Sequence, residues 1–262
     1  MMADAVATGK RAIRLSWLAL ILSVGGLAAA LLAALGTATG IWGFRIGLLL
    51  LVAAFLAAVI GGVVAIVAFV MARRRGVRTG RKNLIALIVA IAFGGYMFGQ
   101  ISAATKVPPI HDITTNLADV PQFTVLPVRA DNFDDVPDGG DARLKAMTPQ
   151  ARWAAIHAKA YGDIAPLHLP LDTAAAMKRA IALVQERGWA IAKVDQAAGT
   201  IEATATSFFF RFKDDIVIRI RPDTSAVGGA TVDMRSISRV GQSDIGVNAK
   251  RIRAFLADLK KG

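Results

Sequence analysis

The chain has no cysteine, which excludes disulfides and thiolate metal sites. Its first 106 residues have almost no acid: Asp4 stands alone against 11 Lys and Arg. Histidine is scarce as well. His111, His157 and His168 show neither H-x-H nor H-x-x-x-H spacing, so no metal site and no cofactor is expected. Residues 107–262 lack charge imbalance, with 20 Lys and Arg against 18 Asp and Glu. The isoelectric point near 10.6 therefore comes from cations beside apolar runs, and no nucleic acid partner is expected.

The organising stretch is Ile46–Ala72, 27 residues without a charge, followed by six cations in residues 73–82. About 20 apolar residues cross the roughly 30 Å of bilayer hydrocarbon. Two further uncharged runs, Leu15–Leu35 and Leu84–Ala104, give three expected spans. The first is too long for a signal-peptide core of about 7–15 residues and reads as an uncleaved anchor. Buried ionisable groups, which a transport pathway would need, are missing from all three. Cytoplasmic loops retain the cations, so the N-terminus and the 73–82 loop are expected inside. Residues 107–262 then lie outside, in the periplasm of a Gram-negative bacterium. The expected arrangement is a membrane domain at 1–106 and a periplasmic domain at 107–262 of a multi-pass inner-membrane protein. Gly36 with Gly40 and Gly95 with Gly99 have the spacing that lets helices approach closely.

The C-terminal half reads as α+β. Residues 106–126 carry Pro108, Pro109 and Pro121 and form an extended lead-out. Residues 148–160 make a short helix, 164–171 an edge strand, and 173–187 a helix capped by Asp172 or Thr173 and ended by Gly188. Four strands follow, Trp189–Asp195, Thr200–Thr206 running on to Lys213, Ile216–Arg221 and Ala230–Arg239. Their short turns imply an antiparallel sheet of about four strands packed by two helices. A three-residue turn at 213–215 would pair Phe212 with Ile216 and Phe210 with Ile218, burying both sets. That register leaves a second face carrying Arg211, Arg219, Arg221, Asp233 and Arg235. Such a face is either a wet surface whose cations pair with Asp233 and Glu202, or a basic platform for an anionic headgroup or an acidic partner. A last helix, Asp244–Lys261, carries the stripe Ile245, Ile252, Phe255, Leu256 and Leu259, with Ser243 as its expected cap.

Catalytic patterns are weak. Gly241-Gln242-Ser243-Asp244-Ile245-Gly246 lies between strand and helix, as a nucleophile elbow does, but its second glycine comes one position late. All three histidines precede the serine, the reverse of the hydrolase order. The same helix start, with Arg235, Arg239 and Ser243 near it, could hold an anion, although Asp244 already offers those amides a negative charge. The five carboxylates of residues 131–141 do not match a calcium loop and read as a solvated acidic loop.

Two runs carry a resemblance. Arg211–Pro222 reads RFKDDIVIRIRP, and Val232–Arg253 reads VDMRSISRVGQSDIGVNAKRIR. With Thr115–Pro121, Tyr161 and Gly188-Trp189, they are similar to the domain of unknown function 1499 family over residues 107–260. The resemblance implies one C-terminal domain on a small membrane anchor and transfers no catalytic residue. Taken together, the expectation is a non-enzymatic membrane module. It binds an anionic lipid or another membrane protein through Arg211, Arg219, Arg221, Arg235, Arg239, Ser243 and Asn248. The alternatives are a structural subunit of a larger complex, or a hydrolase using Ser243 or Asp214/Asp215.

Overall fold

The computed structural model describes residues 2–225 and 227–261. The chain divides into two compact units, one made of residues up to Ala103 together with Phe209–Arg211, the other of Ala104–Phe208 and the residues from Phe212 onward. The first holds three helices, α1 (Met2–Ala38), α2 (Phe44–Arg74) and α3 (Gly80–Ala104). Each is long and apolar enough to cross a membrane. Their outward surfaces stay apolar, with Leu49 and Phe98 among the most exposed side chains, as a lipid-facing helix requires.

Small residues set the helix contacts, but not the glycines expected from spacing. A Cβ on Gly26 would lie 2.7 Å from the Ala54 carbonyl oxygen, and one on Gly61 2.7 Å from the Ser23 nitrogen. These two positions let α1 and α2 touch backbone to backbone. Around Gly95 and Gly99 there is open space, so they make no close contact with the other two helices of the chain. Gly36 instead accommodates the ring of Trp42, whose Nε1 donates to the Ala33 carbonyl at 3.1 Å and closes the α1–α2 turn. Helix α3 packs on the pair through Phe93, set edge-on to Phe55, and through Ala86 beside Ala19 and Ala65.

The second unit is built on a six-stranded antiparallel sheet. Its strands are β1 (Asp112–Thr114), β2 (Leu167–Leu169), β3 (Ala190–Asp195), β4 (Thr200–Thr206), β5 (Lys213–Pro222) and β6 (Ala230–Ser238). The order is β1-β6-β5-β4-β3, and β2 also pairs with β6. Two more strands exist than the expected four: β2 lies within the edge strand expected at 164–171 and joins the same sheet, and β1, three residues long, is too short for a periodic signal. The helices are α4 (Ala142–Lys145), α5 (Pro149–Ala160), α6 (Thr173–Glu186) and α7 (Val247–Lys261).

The core lies on one face. Ile201, Ile216, Ile218, Ile220, Val232 and Met234 point from the strands toward Met177 and Val184 of α6 and Ile252, Phe255 and Leu259 of α7. Asp172 caps α6 by accepting from the Ala175 amide at 2.7 Å, and Gly188 follows that helix at φ +64°.

Three expectations are corrected here. Strand β4 stops at Thr206, which faces Lys213, and Ile216 pairs with Ala203 rather than Phe212. The phenylalanine run lies in the 207–212 loop, where the Phe212 amide donates to Ser207 Oγ and the Ser207 amide to the Phe212 carbonyl, both at 2.8 Å. Ala203 and Ala205 already fill the inner face, so the rings have no place there. Asp214 and Asp215 are consequently strand residues, not a turn. Helix α7 begins at Val247 and is capped by Asp244, which accepts from the Gly246 and Asn248 amides at 2.8 and 2.6 Å. Ser243 reaches only the Ile245 amide, because Ile245 at φ +55° and Gly246 at φ +75° turn the chain before the helix starts.

Candidate functional site

The candidate arginines cluster on the sheet face away from the core. Alternation along β5 and β6 sends Arg219, Arg221, Arg235 and Arg239 to that side. The face is not open to water, as it was expected to be. The lead-out segment 115–128 lies across it, and Glu202, Asp215, Val217, Asp233 and Ile237 beneath are buried.

Glu202 of β4 holds that segment down. Its carboxylate accepts from the Thr124 hydroxyl at 2.5 Å and from the amides of Thr124, Val125 and Leu126 at 2.6, 3.1 and 2.9 Å. Burial pushes the group's pKa up, but the Thr124 hydroxyl and the three amides outweigh it and leave the pKa below its ordinary value.

Each sheet arginine meets a carboxylate. Arg219 and Arg221 both donate to buried Asp233 at 2.8 Å, and both reach Asp119 of the covering segment. Hydrogen bonding to Arg219 holds the Asp119 carboxyl below the usual range. Arg235 donates twice to Asp112, at 2.9 and 2.7 Å, and its guanidinium lies over the Phe123 ring. Arg239 grips Asp215 through two bonds of 2.7 and 2.9 Å, and Asp215 also accepts from the Thr204 hydroxyl. The sheet face is therefore charge-matched internally.

Asn248 and Ser243 lie elsewhere. Asn248, on α7, is buried on the core side of the sheet. It donates to the His111 carbonyl and to Ser238, and accepts from Ser236 and Arg251. Arg251 also pairs with Asp214 at 2.6 Å. These bonds join α7 to β6 and β1. Arg211 stands apart from the sheet, in the 207–212 loop, exposed and at φ +54°.

One cavity of about 220 Å³ opens beside Arg239, bounded by Pro127, Arg129, Asp215, Ile237 and Ser238. Arg129 is fixed by Asp131 at 2.8 Å and by the Gly241 carbonyl at 2.7 Å. Asp215 therefore faces a cavity, but its oxygens accept from Arg239 and Thr204, which leaves it a poor base or nucleophile. Ser243 is not among the residues that bound this cavity. Among the described residues no group of three or more His, Cys, Asp or Glu is placed to hold a metal.

Asp112, Asp119, Arg129 and Arg251 were missed as site residues by sequence reasoning. The signal that could have found them was charge arithmetic: an apolar-rich sheet with cations at alternate positions needs nearby acids.

A comparison with curated proteins finds no match. The sequence profile of a family described as "Protein of unknown function (DUF1499)" matches residues 112–259, more than half of the chain and every strand of the sheet. The protein is thus a member of the DUF1499 family, carrying three apolar helices ahead of the family domain.

Proposed function

We propose that this is a non-catalytic envelope module of the inner membrane, with its C-terminal unit on the periplasmic side, that binds an anionic lipid surface through the 207–213 loop. The observation that carries this reading is the make-up of that loop. Phe208 is 83% exposed and Phe209 52% exposed, with Phe210, exposed Arg211 and exposed Lys213 following directly. Aromatic rings at an interface bury apolar area among the acyl chains, while adjacent cations meet anionic headgroups at about 1 kcal/mol each. Arg219, Arg221, Arg235 and Arg239 take a different part, neutralising the carboxylates that close the sheet face. The cation surplus around residues 73–82 supports the periplasmic orientation.

The absence of cysteine makes the test clean. Full-length protein carrying Phe208→Cys, spin-labelled and reconstituted in bilayers containing phosphatidylglycerol, should show the label shielded from a water-soluble relaxant. A label at Ser225→Cys, in the β5–β6 turn, should be fully accessible. Adding Arg211→Glu and Lys213→Glu should bring the position-208 label out. Equal accessibility at 208 and 225 would overturn the reading.

A further inference from the structure

The turn between α2 and α3 forms a concave site of about 590 Å³, independent of the 207–213 loop. Arg73, Arg78, Arg81 and Lys82 line one part of it, and Phe69 and Val77 line another. Arg74 and Arg75, which interrupt the same basic run, are not among its walls.

Three features point to the ligand. Four cations converge where the sequence supplies no acid, since Asp4 is the single carboxylate of the first 106 residues. Two of those cations rest on aromatic faces, Arg73 5.8 Å from the Phe69 ring centre and Lys82 4.0 Å from that of Trp17. Phe69 is a wall of the site and Trp17 is not, so the ring contact holds the Arg73 head there. The wall is also amphipathic. A free phosphate would meet only the guanidinium rim, whereas a phospholipid would place its phosphate there and its glycerol and first acyl carbons against Phe69 and Val77. The α3 N-terminus at Gly80 adds amide donors to the same wall.

We propose that this turn binds the phosphate of an anionic phospholipid. Guanidinium forks at Arg78 and Arg81 contact the phosphate oxygens, and the apolar wall takes the start of the acyl chains.

The test is native mass spectrometry of the full-length protein in mild detergent, titrated with phosphatidylglycerol or phosphatidylcholine of equal chain length. Phosphatidylglycerol should be retained preferentially, and millimolar inorganic phosphate should not displace it. Arg78→Gln and Arg81→Gln should each weaken retention about fivefold. Arg74→Gln and Arg75→Gln, which remove the same charge from outside the wall, should leave it unchanged. Equal retention of the two lipids overturns the proposal. Equal weakening by the Arg74 and Arg75 variants overturns it in favour of diffuse charge, and full displacement by phosphate overturns it in favour of a free-anion site. The comparison of lipids and phosphate on the unaltered protein stands even where a variant fails to fold. The Arg78 and Arg81 variants separate this turn from the 207–213 loop, because they leave that loop's Arg211 and Lys213 in place; retention that neither variant weakens overturns the proposal.

Discussion

Arg235 of β6 and Asp112 of β1 meet diagonally across neighbouring strands through two hydrogen bonds, with side chains only 5% and 1% exposed. Asn132 donates to the same carboxylate at 2.7 Å, and Trp153 donates to the Asp112 carbonyl at 2.8 Å. This pair ties the first strand after the three apolar helices to its neighbour β6, which also carries β2 and β5. Removing one member of a buried pair strands the other charge, at a cost of about 3–5 kcal/mol. Arg235→Met and Asp112→Asn should each destabilise the second unit by that amount. The double variant should cost clearly less than the sum. Denaturant unfolding of the full chain in detergent checks both statements, and simple additivity would show that the two side chains do not act as a pair.

Two buried groups give the second unit separate pH responses. His157 Nε2 accepts from the Thr114 amide at 3.1 Å, and burial lowers the ring's pKa from 6.5. The unfolded ring takes up a proton near 6.5, which the folded ring resists. Its contribution is therefore complete above 6.5 and declines as pH falls below that value, by up to about 1.4 kcal/mol per pH unit for one proton. Glu202 titrates lower, because its folded pKa lies below 4.5. Its contribution is complete above 4.5 and is lost as pH falls through the folded value. Unfolding measured between pH 7.5 and 5.5 should show the histidine slope, and His157→Gln should flatten it. Glu202→Gln should leave that slope alone and release segment 115–128, seen as faster amide exchange at Thr124–Leu126.

How far the sequence revealed this depended on whether the signal was local. Uncharged length alone marks the three membrane helices, and alternation at Ile216, Ile218 and Ile220 marks β5 and its buried face. The fate of the opposite face was not legible, since it rests on Glu202 meeting amides 76–78 residues away. Alternation misled at Phe208–Phe212, where rings at every second position imitate a strand. The Ser207–Phe212 bonds that close the loop left no such mark. The arginines were visible as a set, but their partners Asp112 and Asp119 lie in an extended segment without periodicity.

Close helix approach at Gly61 makes a contrast with Gly95. A side chain at Gly61 meets the Ser23 nitrogen and the Ala19 carbonyl, backbone atoms that cannot rotate away. Gly61→Val should destabilise the α1–α2 pair by about 1–3 kcal/mol, the usual cost of overpacking. Gly95→Val, facing open space, should change stability far less. Unfolding in mixed detergent with increasing dodecyl sulfate measures both. A comparable loss at Gly95 would place it in a helix contact after all.

Ile245 offers a prediction of the opposite sign. A β-branched residue at φ +55° is strained by about 1–3 kcal/mol, because its Cβ crowds the backbone in the left-handed region. Its side chain is 38% exposed, so replacing it forfeits only part of its apolar burial. The Asp244 cap and Gly246 at φ +75° stay in place on either side. Ile245→Asn, and more strongly Ile245→Gly, should therefore stabilise the second unit by about 1 kcal/mol. Asn tolerates the left-handed region, and Gly adopts it without steric cost. Thermal unfolding that shows both variants less stable would mean that contacts of the isoleucine side chain outweigh the strain of its backbone.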